Sequence, residues 1–437
     1  MACRGSGVQI PSAPRCIMNY FKSIYKFIFE TKTLVLSQFF IATLSLVQAS
    51  IVARELGPSK FGQAALVLTL PAIVFRSIHS RSSDFTLVAL KNLKIIKQHI
   101  IVSSLLIDLF SGVIASIISI AISIPFAKYF GMEDMGSVYR MFLVYIFCRP
   151  FLGLSETMKG VLTYEKKLKV FAVVELVSVI IRFIAIILLV SMSPTIEMFI
   201  LGHSIYAFSY GILSIGVIFS RINDNFFGIP FIKNFYSVVK LSRKFLLTLR
   251  LDQLVGMIPN HFDLIIINIF AGYEAVGIYN ISKRLLMPIN YLVVALTPWV
   301  QSEFVKKKNQ IRNIGYQLTN TILVPLSILI FLVVYFFGPW IIEFTVGIKY
   351  QKSYIPWLVM TFGYLVFLLF FWVRQALLLT DRLIFHAYSR ILNTSVFLAG
   401  SIYFSREYPL LGVAIAYVLG MSLQKMYELY IFEKKGI

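Results

Sequence analysis

The feature that most constrains this chain is a series of long apolar runs separated by short polar connections. About 20 consecutive apolar residues cross the hydrocarbon core of a bilayer as a helix, and a helix satisfies its own backbone hydrogen bonds there. The sequence therefore predicts an all-α integral membrane protein of twelve helices. Their predicted ranges are 33–53, 62–79, 99–127, 137–158, 168–190, 196–219, 251–271, 275–301, 316–337, 355–380, 383–404 and 411–431.

The composition excludes a water-soluble protein of 437 residues, because 58% of the residues are apolar and only 14% are charged. Soluble domains have roughly 45–50% apolar and about 25% charged residues. The net charge of +21 comes from clusters of Lys and Arg between the apolar runs, not from one basic face. This distribution argues against nucleic-acid binding and is typical of membrane connections.

The basic residues also predict how the chain lies in the membrane. Lys and Arg are abundant in the connections that follow predicted helices 2, 4, 6 and 8, whereas residues 191–195 and 272–274 contain none. Basic connections stay on the cytoplasmic side of a membrane. We therefore expect a multi-pass protein with both termini in the cytoplasm.

The chain divides near its middle at its longest basic connection. We predict an N-terminal six-helix lobe at 18–220, a basic cytoplasmic linker at 221–250, and a C-terminal six-helix lobe at 251–437. Residues 1–17 have no continuous apolar stretch and are predicted to be a disordered leader. Met18 precedes a lysine-bearing approach to the first helix, so we expect native translation to start there.

Two glycine turns point to an internal repeat. Gly57–Gly62 and Gly272–Gly277 both have the pattern G-x-x-x-x-G, and each follows the first helix of a six-helix block. The equal positions predict two parallel repeats related by an axis along the membrane normal. The Gly57 turn lacks the Lys-Ser/Thr ending of a phosphate-binding loop and follows no strand. No nucleotide or other cofactor is therefore predicted.

The same turns carry a family resemblance. Residues 53–62, with Arg54 and Gly57, resemble the A-R-x-L-G-P-x-x-F-G turn of polysaccharide-biosynthesis flippases, and residues 263–283 resemble the helix 7–8 signature of that family. These Wzx-type flippases are members of the multidrug/oligosaccharidyl-lipid/polysaccharide exporter superfamily. The resemblance implies two six-helix lobes around a central cavity.

The resemblance also implies a function and its partners. The expected activity is flipping of an undecaprenyl-diphosphate-linked oligosaccharide, such as an O-antigen unit, across the bacterial cytoplasmic membrane by alternating access. Membrane lipid is a further expected partner, and other polysaccharide-assembly membrane proteins are candidates. The expected role is that of a transporter, not an enzyme.

Ionised residues inside membrane helices are costly unless they face a cavity or a counter-charge, so they are the candidate substrate ligands. We predict Arg182, Arg149, Lys283 and Arg284 as cavity cations. For Arg182 the alternative is a salt bridge, for example through Asp108. Arg149 lies at the depth of Glu175 and could pair with it, and Lys283 could instead extend to the membrane surface.

Three acidic residues, Asp263, Asp252 and Glu175, are candidates for ion coupling, and Asp263 has a pairing with Lys283 as its alternative. Arg374 and Arg390 lie nearer the helix ends, where anchoring at the lipid surface is the favoured interpretation. The five histidines are scattered without metal-ligand spacing, so no metal site is predicted.

Two other functions remain open. A cation-coupled multidrug exporter of the same superfamily would share the fold, but a cavity for organic cations would be acidic. A membrane polymerase or ligase acting on the same lipid-linked sugar would need a large outward connection for its catalytic site. Every predicted outward connection is short.

Overall fold

The computed structural model describes residues 13–79, 82–92, 96–129, 136–165, 167–221, 231–306, 310–380 and 382–434. Within these ranges the chain is helical apart from short turns. The helices are α1 Ala13–Ile78, α2 Ser82–Asn92, α3 Lys97–Tyr129, α4 Gly136–Tyr164, α5 Leu168–Met192, α6 Ile196–Phe219, α7 Phe231–Leu285, α8 Met287–Lys306, α9 Ile311–Leu318, α10 Val324–Thr345, α11 Tyr354–Leu369, α12 Phe371–Leu379, α13 Leu383–Phe404 and α14 Pro409–Lys434.

The described helices make the predicted number of crossings. Nine of the described helical stretches are long and apolar enough to span a membrane. Two of these, 36–78 and 254–301, contain 43 and 48 residues, about twice the length that one crossing needs. Each therefore crosses twice, and α13 provides the twelfth crossing. Helices α1–α6 form the N-terminal lobe, and α7–α14 form the C-terminal lobe.

A belt of exposed apolar side chains surrounds the bundle. Phe39, Leu188, Phe336 and Trp340 are each more than half exposed, which a soluble protein avoids over such an area. The buried side chains include many small polar residues such as Ser104 and Ser178, which allow close approach of membrane helices. The outer surface of the bundle is thus suited to contact with lipid, and its interior is suited to close contact between helices.

Several helix ends differ from the predicted ones. α1 begins at Ala13, inside the predicted leader, and α7 begins at Phe231, inside the predicted linker. Residues 1–12 and 222–230 lie outside the described residues. The predicted helix 355–380 is divided at Phe370 into α11 and α12. Propensity does not mark the starts of α1 and α7 because Lys and Arg, which are common there, are good helix formers.

The two glycine turns have almost the same backbone conformation. Gly57 has φ 71° and ψ 169° and Gly272 has φ 75° and ψ −174°, and each interrupts a long helix. This region is nearly restricted to glycine because a Cβ atom would clash with the backbone. The equal geometry agrees with the repeat that the sequence indicates.

The two turns also pack against each other. A Cβ atom on Gly62 would collide with the backbone oxygen of Tyr273, and one on Gly277 would collide with the carbonyl oxygen of Pro58. The backbones of α1 and α7 therefore touch where the two lobes meet. We call this end of the bundle the turn end.

Neighbouring side chains complete the closure of the turn end. The Tyr350 hydroxyl donates to the carbonyl oxygen of Ala53 at 2.9 Å, and its ring meets that of Phe61 edge-on with 6.4 Å between centroids. Arg54 donates to the carbonyl oxygen of Phe344. These contacts join α1 to the connection between α10 and α11, so residues from both lobes seal this end.

A π-helical turn at Thr319–Leu323 separates α9 from α10. The Thr319 hydroxyl accepts the indole N–H of Trp372 at 2.9 Å and lies 3.0 Å from the carbonyl oxygen of Leu369. Trp372 and Leu369 flank the break between α11 and α12. Two irregular points in neighbouring helices are thus joined by one hydroxyl.

At the opposite end of the bundle, which we call the basic end, Glu165 forms ion pairs with basic residues at the ends of three helices. Its carboxylate pairs with Lys97 at the start of α3, with Lys167 just before α5, and with Arg221 just after α6. Burial alone would raise the pKa of Glu165, but the hydrogen bonds and charges of Lys97 and Lys167 outweigh it and lower the pKa below its ordinary value. The ion pairs therefore favour the charged, folded state.

We expect Gly62→Val to lower the unfolding temperature of the detergent-solubilised protein, since overpacking costs about 1–3 kcal/mol and no side chain can yield at a backbone contact. Gly216→Val is the matched control, because a Cβ at Gly216 meets nothing within 4 Å. Thermal unfolding of both variants checks this. Equal unfolding temperatures would contradict the close packing of the two turns.

Glu165→Gln should also lower the unfolding temperature at neutral pH. The lowered pKa means that this stabilisation is present above the ordinary glutamate pKa of 4.5 and is lost as the pH falls through the folded-state value. The difference from the wild type should therefore vanish in strong acid. The exposed Glu407 provides the control Glu407→Gln, and a pH-independent difference would refute the assignment.

Candidate functional site

A cavity of about 560 Å³ lies between the lobes, and we call it the central cavity. Helices α1, α4, α5 and α6 line one side, and α7 and α13 line the other. Most ligand pockets are lined mainly by apolar groups, whereas this lining is rich in titratable ones. They are Arg76, His79, Arg149, Glu156, Lys159, Glu175, His261 and Arg390.

The central cavity lies toward the basic end. Lys159 precedes the end of α4 at Tyr164, Phe171 follows the start of α5 at Leu168, and Arg390 is in the first turns of α13. The turn end is closed by the packed glycine turns. The lobes thus diverge from the turn end toward the basic end.

The balance of charge in the central cavity is positive. Arg76, Arg149, Lys159 and Arg390 face two carboxylates, Glu156 and Glu175. Arg76 Nη1 lies 3.0 Å from His261 Nε2, so this contact joins α1 to α7 across the boundary of the lobes. An anion that enters the cavity meets cations from both lobes.

Arg149, one of the predicted cavity cations, is placed in the lining of the central cavity. Its Nη1 donates to the Tyr145 hydroxyl at 2.8 Å, and its guanidinium lies 5.6 Å from the ring centroids of Phe75 and Tyr145. The predicted pairing with Glu175 is wrong, because Glu175 accepts from Gln38 Nε2 at 2.8 Å. Aromatic faces and water can support a guanidinium without a carboxylate.

Arg182 and Arg284 lie outside the lining of the central cavity. Arg182 donates to Ser45 Oγ at 2.7 Å and to Gln48 Oε1 at 3.2 Å, which joins α5 to α1. The Arg284 guanidinium lies 5.6 Å from the ring centroid of Phe61, next to the Gly62 contact. Among the described residues its Nε has no hydrogen-bond partner.

These two arginines still share an electrostatic environment with Arg149. Arg182, Arg284 and Arg149 are all close enough to the half-buried His203 ring to influence it electrostatically, and Arg182 is likewise a charged neighbour of Arg284. The alternative salt bridge between Arg182 and Asp108 is not formed. Asp108 accepts hydrogen bonds from Ser82 and Thr157, and Arg182 donates to Ser45. The positive region therefore continues from the central cavity toward the turn end.

Lys283 is held in an ion pair. Its Nζ lies 2.7 Å from Asp263 Oδ2 and donates to the carbonyl oxygen of Asn260 at 2.8 Å. Asp263 is fully buried. The ion pair between Lys283 and Asp263 is the alternative that the sequence offered for Asp263. The side chain of Asp252 lies outside the described residues.

Several lining residues have no distinctive signal in the sequence. Arg76, His79 and Lys159 lie close to helix ends, where basic residues are common, and His261 is a single histidine inside α7. Arg76 and His79 do have i, i+3 spacing on one helix face. The predicted lipid anchoring of Arg390 is wrong, because its guanidinium packs on Gly256 inside the central cavity.

Arg374 is likewise part of the interior. Its Nε donates to His386 Nε2 at 3.1 Å, and His386 Nδ1 lies 2.8 Å from Glu428 Oε1. Glu428 also pairs with Lys425 at 2.7 Å, and both side chains are fully buried. This network joins α12, α13 and α14 within the C-terminal lobe and contributes nothing to the lining of the central cavity.

A family model described as Polysaccharide biosynthesis protein matches residues 30–301, more than half of the chain. The chain belongs to this polysaccharide biosynthesis family. The matched segment includes both glycine turns and most of the lining of the central cavity, but not Arg390. The family that the sequence resembled is confirmed. No curated protein sequence matches the chain.

Solved structures with the same fold are membrane transporters. An inward closed conformation of the lipid II flippase MurJ has a TM-score of 0.69 at 17% identity, covering 91% of this chain and 87% of that chain. An inward-facing multidrug resistance MATE family transporter of the MOP superfamily has a TM-score of 0.67 at 12% identity, covering 92% and 98%.

A third similar structure is the Vibrio cholerae MATE transporter VcmN in the bent form, with a TM-score of 0.63 at 11% identity, covering 95% of this chain and 97% of that chain. At such identities these structures establish the fold alone. This member of the polysaccharide biosynthesis family thus has the two-lobe fold of the MOP superfamily, as the sequence predicted.

Lys283→Met alone should destabilise this polysaccharide biosynthesis protein by about 3–5 kcal/mol, because it leaves Asp263 buried and uncompensated. The double variant Lys283→Met with Asp263→Asn should recover most of that loss. Lys349→Met, at an exposed position, is the control. Thermal unfolding of purified protein checks the order, and an additive double variant would show that the two charges do not interact.

Proposed function

We propose that the chain flips an undecaprenyl-diphosphate-linked oligosaccharide across the bacterial cytoplasmic membrane by alternating access. The observation that carries this proposal is the central cavity, in which cations of both lobes converge inside a membrane fold. Membership of the polysaccharide biosynthesis family supports the substrate class.

The substrate needs such a cavity because of its head group. An unpaired hydroxyl in an apolar environment costs about 4–8 kcal/mol on the water-to-cyclohexane scale, and an oligosaccharide carries many hydroxyls beside a charged diphosphate. The central cavity offers water, carboxylates and guanidinium groups for the head. The polyprenyl tail remains in lipid between the helices.

Arg149, Arg76 and Arg390 are the proposed diphosphate ligands. Each lines the central cavity, and guanidinium groups bind phosphate oxygens with paired, charge-assisted hydrogen bonds. The three lie on α4, α1 and α13, so a bound anion would touch both lobes. Bringing the lobes together around the anion is the step by which binding would favour closure.

Arg182 and Arg284 are the proposed next cations along the path. They lie between the central cavity and the closed turn end, as the Arg284 contact with Phe61 indicates. Lys283 has no such role in the proposal because Asp263 neutralises it. A head group leaving the central cavity would therefore move along positive charge toward the glycine turns.

The conformation described here fits the loading step. If basic connections are cytoplasmic, the central cavity faces the cytoplasm, where the lipid-linked unit is assembled, and the turn end faces outward. Both termini are then cytoplasmic. Parting of the Gly62 and Gly277 contacts would release the glycan on the outer side.

The multidrug exporter is the second candidate, since MATE transporters share the fold. Such a pump for organic cations would need acidic groups to dominate its cavity. Here Glu156 and Glu175 are outnumbered by Lys and Arg. The charge of the lining therefore favours an anionic substrate.

We expect Arg149→Ala and Arg390→Ala each to weaken polyprenyl-diphosphate binding. Loss of one charged hydrogen bond costs about 1.5–3 kcal/mol, or roughly 10- to 150-fold in affinity. Arg149→Lys should keep part of the binding because a point charge remains. Binding of a short polyprenyl diphosphate to purified protein, and surface polymer in a flippase-deficient strain, measure the effect.

The exposed Arg406 on the connection before α14 provides the matched control Arg406→Ala, which should bind and export normally. Protein amount in the membrane is followed in parallel. Normal export by the triple variant Arg76→Ala, Arg149→Ala, Arg390→Ala at normal protein level would refute the proposal. Resistance to organic cations conferred by the wild type would favour the exporter instead.

A further inference from the structure

Asp108 of α3 is a fully buried carboxylate that the proposed flipping cycle does not use. Its Oδ2 accepts hydrogen bonds from Ser82 Oγ and Thr157 Oγ1, both at 2.6 Å, and from the Thr157 backbone N–H at 3.2 Å. The donors come from α2 and α4. This one oxygen thus holds three helices of the N-terminal lobe together.

One residue, His79, lies between the other carboxylate oxygen of Asp108 and the central cavity. Asp108 Oδ1 has no hydrogen bond within the described part of the chain and lies 3.5 Å from His79 Nε2. The His79 side chain is 12% exposed and lines the central cavity. A continuous path therefore runs from cavity water through an imidazole to a buried carboxylate.

The second buried aspartate, Asp263, makes the contrast clear. Both carboxylates are 0% exposed, but Asp263 has the permanent cation Lys283 at 2.7 Å. Among the described residues, the group at ion-pair distance from Asp108 is an imidazole, which is charged only when protonated. Within the described part of the chain, the charge of Asp108 is therefore balanced when this pair holds a proton.

A proton suits this site better than a metal ion. The hydroxyl groups of Ser82 and Thr157 donate to Asp108 Oδ2, so the oxygen that remains open is Oδ1. The group nearest to the open oxygen is an imidazole nitrogen, and hard cations prefer oxygen ligands. Among the described residues, Glu156 is a further charged neighbour, and its carboxylate accepts from Ser83 Oγ at 2.6 Å.

We propose that His79 and Asp108 form a proton-binding site that exchanges with the central cavity and couples a proton to transport. His79 takes a proton from cavity water and becomes an imidazolium. Its Nε2–H bond then breaks as an O–H bond forms on Asp108 Oδ1, and the electron pair stays on nitrogen. Imidazolium and carboxylate thereby become neutral imidazole and carboxylic acid, so charge is conserved.

Proton binding at Asp108 would weaken the hydrogen bonds that join it to the helices around it. Hydrogen bonds to an ionised acceptor are roughly twice as strong as those to a neutral one. A neutral Asp108 would therefore hold Ser82 of α2 and Thr157 of α4 less firmly. Because α4 also carries Arg149 and Lys159, the proton would loosen the wall of the central cavity.

Dicyclohexylcarbodiimide tests the site, since it modifies protonated carboxyl groups in apolar surroundings. Purified wild-type protein treated over a range of pH should carry the label on the peptide that contains Asp108, with labelling that declines as the pH rises. Asp108→Asn should abolish this label. Asp263, paired with Lys283, serves as the internal control and should stay unlabelled.

Two further variants test the role of His79. His79→Asn should shift the pH of half-labelling, and so should Gly153→Val, because a Cβ at Gly153 would collide with the His79 ring. Export by Asp108→Asn should fall at least several-fold relative to the wild type when the two are compared at equal protein amounts in the membrane. Asp108→Glu keeps the carboxyl group and should retain the label.

The outcomes separate this proposal from the proposed function, because labelling requires no substrate. Absence of label on Asp108 at every pH would overturn the proton site. Protection by Na⁺ at constant pH would overturn it in favour of a metal-ion site. Normal export by Asp108→Asn would overturn the coupling, and it would leave the diphosphate cavity untouched.

Discussion

The contact between two glycine turns, Gly57–Gly62 and Gly272–Gly277, determines the shape of the bundle. Because the backbones of α1 and α7 touch there, the lobes can separate only toward the basic end, and the central cavity opens where they separate. The closest contact is backbone against backbone, and the side chains of Arg54, Phe61 and Tyr350 complete the closure around it.

The bilayer also dictates how each charge inside the bundle is compensated. Lys283 and Asp263 form one ion pair, and Lys425 and Glu428 form another. Arg149 uses aromatic faces and the water of the central cavity. Asp108 uses hydroxyl groups and an imidazole. The fixed pairs supply their own counter-charges, whereas cavity-facing groups and the Asp108 pair are placed to interact with what enters the central cavity.

The parts of the fold that follow from length and backbone chemistry could be predicted. Twelve crossings follow from the thickness of the bilayer, and the turns at Gly57 and Gly272 follow from the glycine pattern. Arg149 could be placed in the cavity because an ionised residue in mid-helix needs water or a partner. Family membership followed from residues close to the same turns.

The other site residues depend on which helix lies next to which. Lys283 and Arg149 are equally deep basic residues in the sequence, yet only Lys283 meets an aspartate. Arg390 looks like a surface anchor until α13 is placed against Gly256. The residues that bind Glu428 and those that bind Asp108 come from several helices. Neither group can therefore be recognised from the sequence of a single helix.

The π-helical turn at Thr319–Leu323 has a consequence for how this chain can change over evolution. A π turn accommodates one additional residue in an α-helix, and one residue corresponds to a rotation of about 100°. The π turn therefore absorbs the rotation that the additional residue would otherwise give to α10, so the lipid-facing side chains of α10 keep their direction. Because Thr319 is pinned by Trp372 and by Leu369, this turn cannot migrate along the helix, and the place where the helix tolerates one residue more or less is fixed.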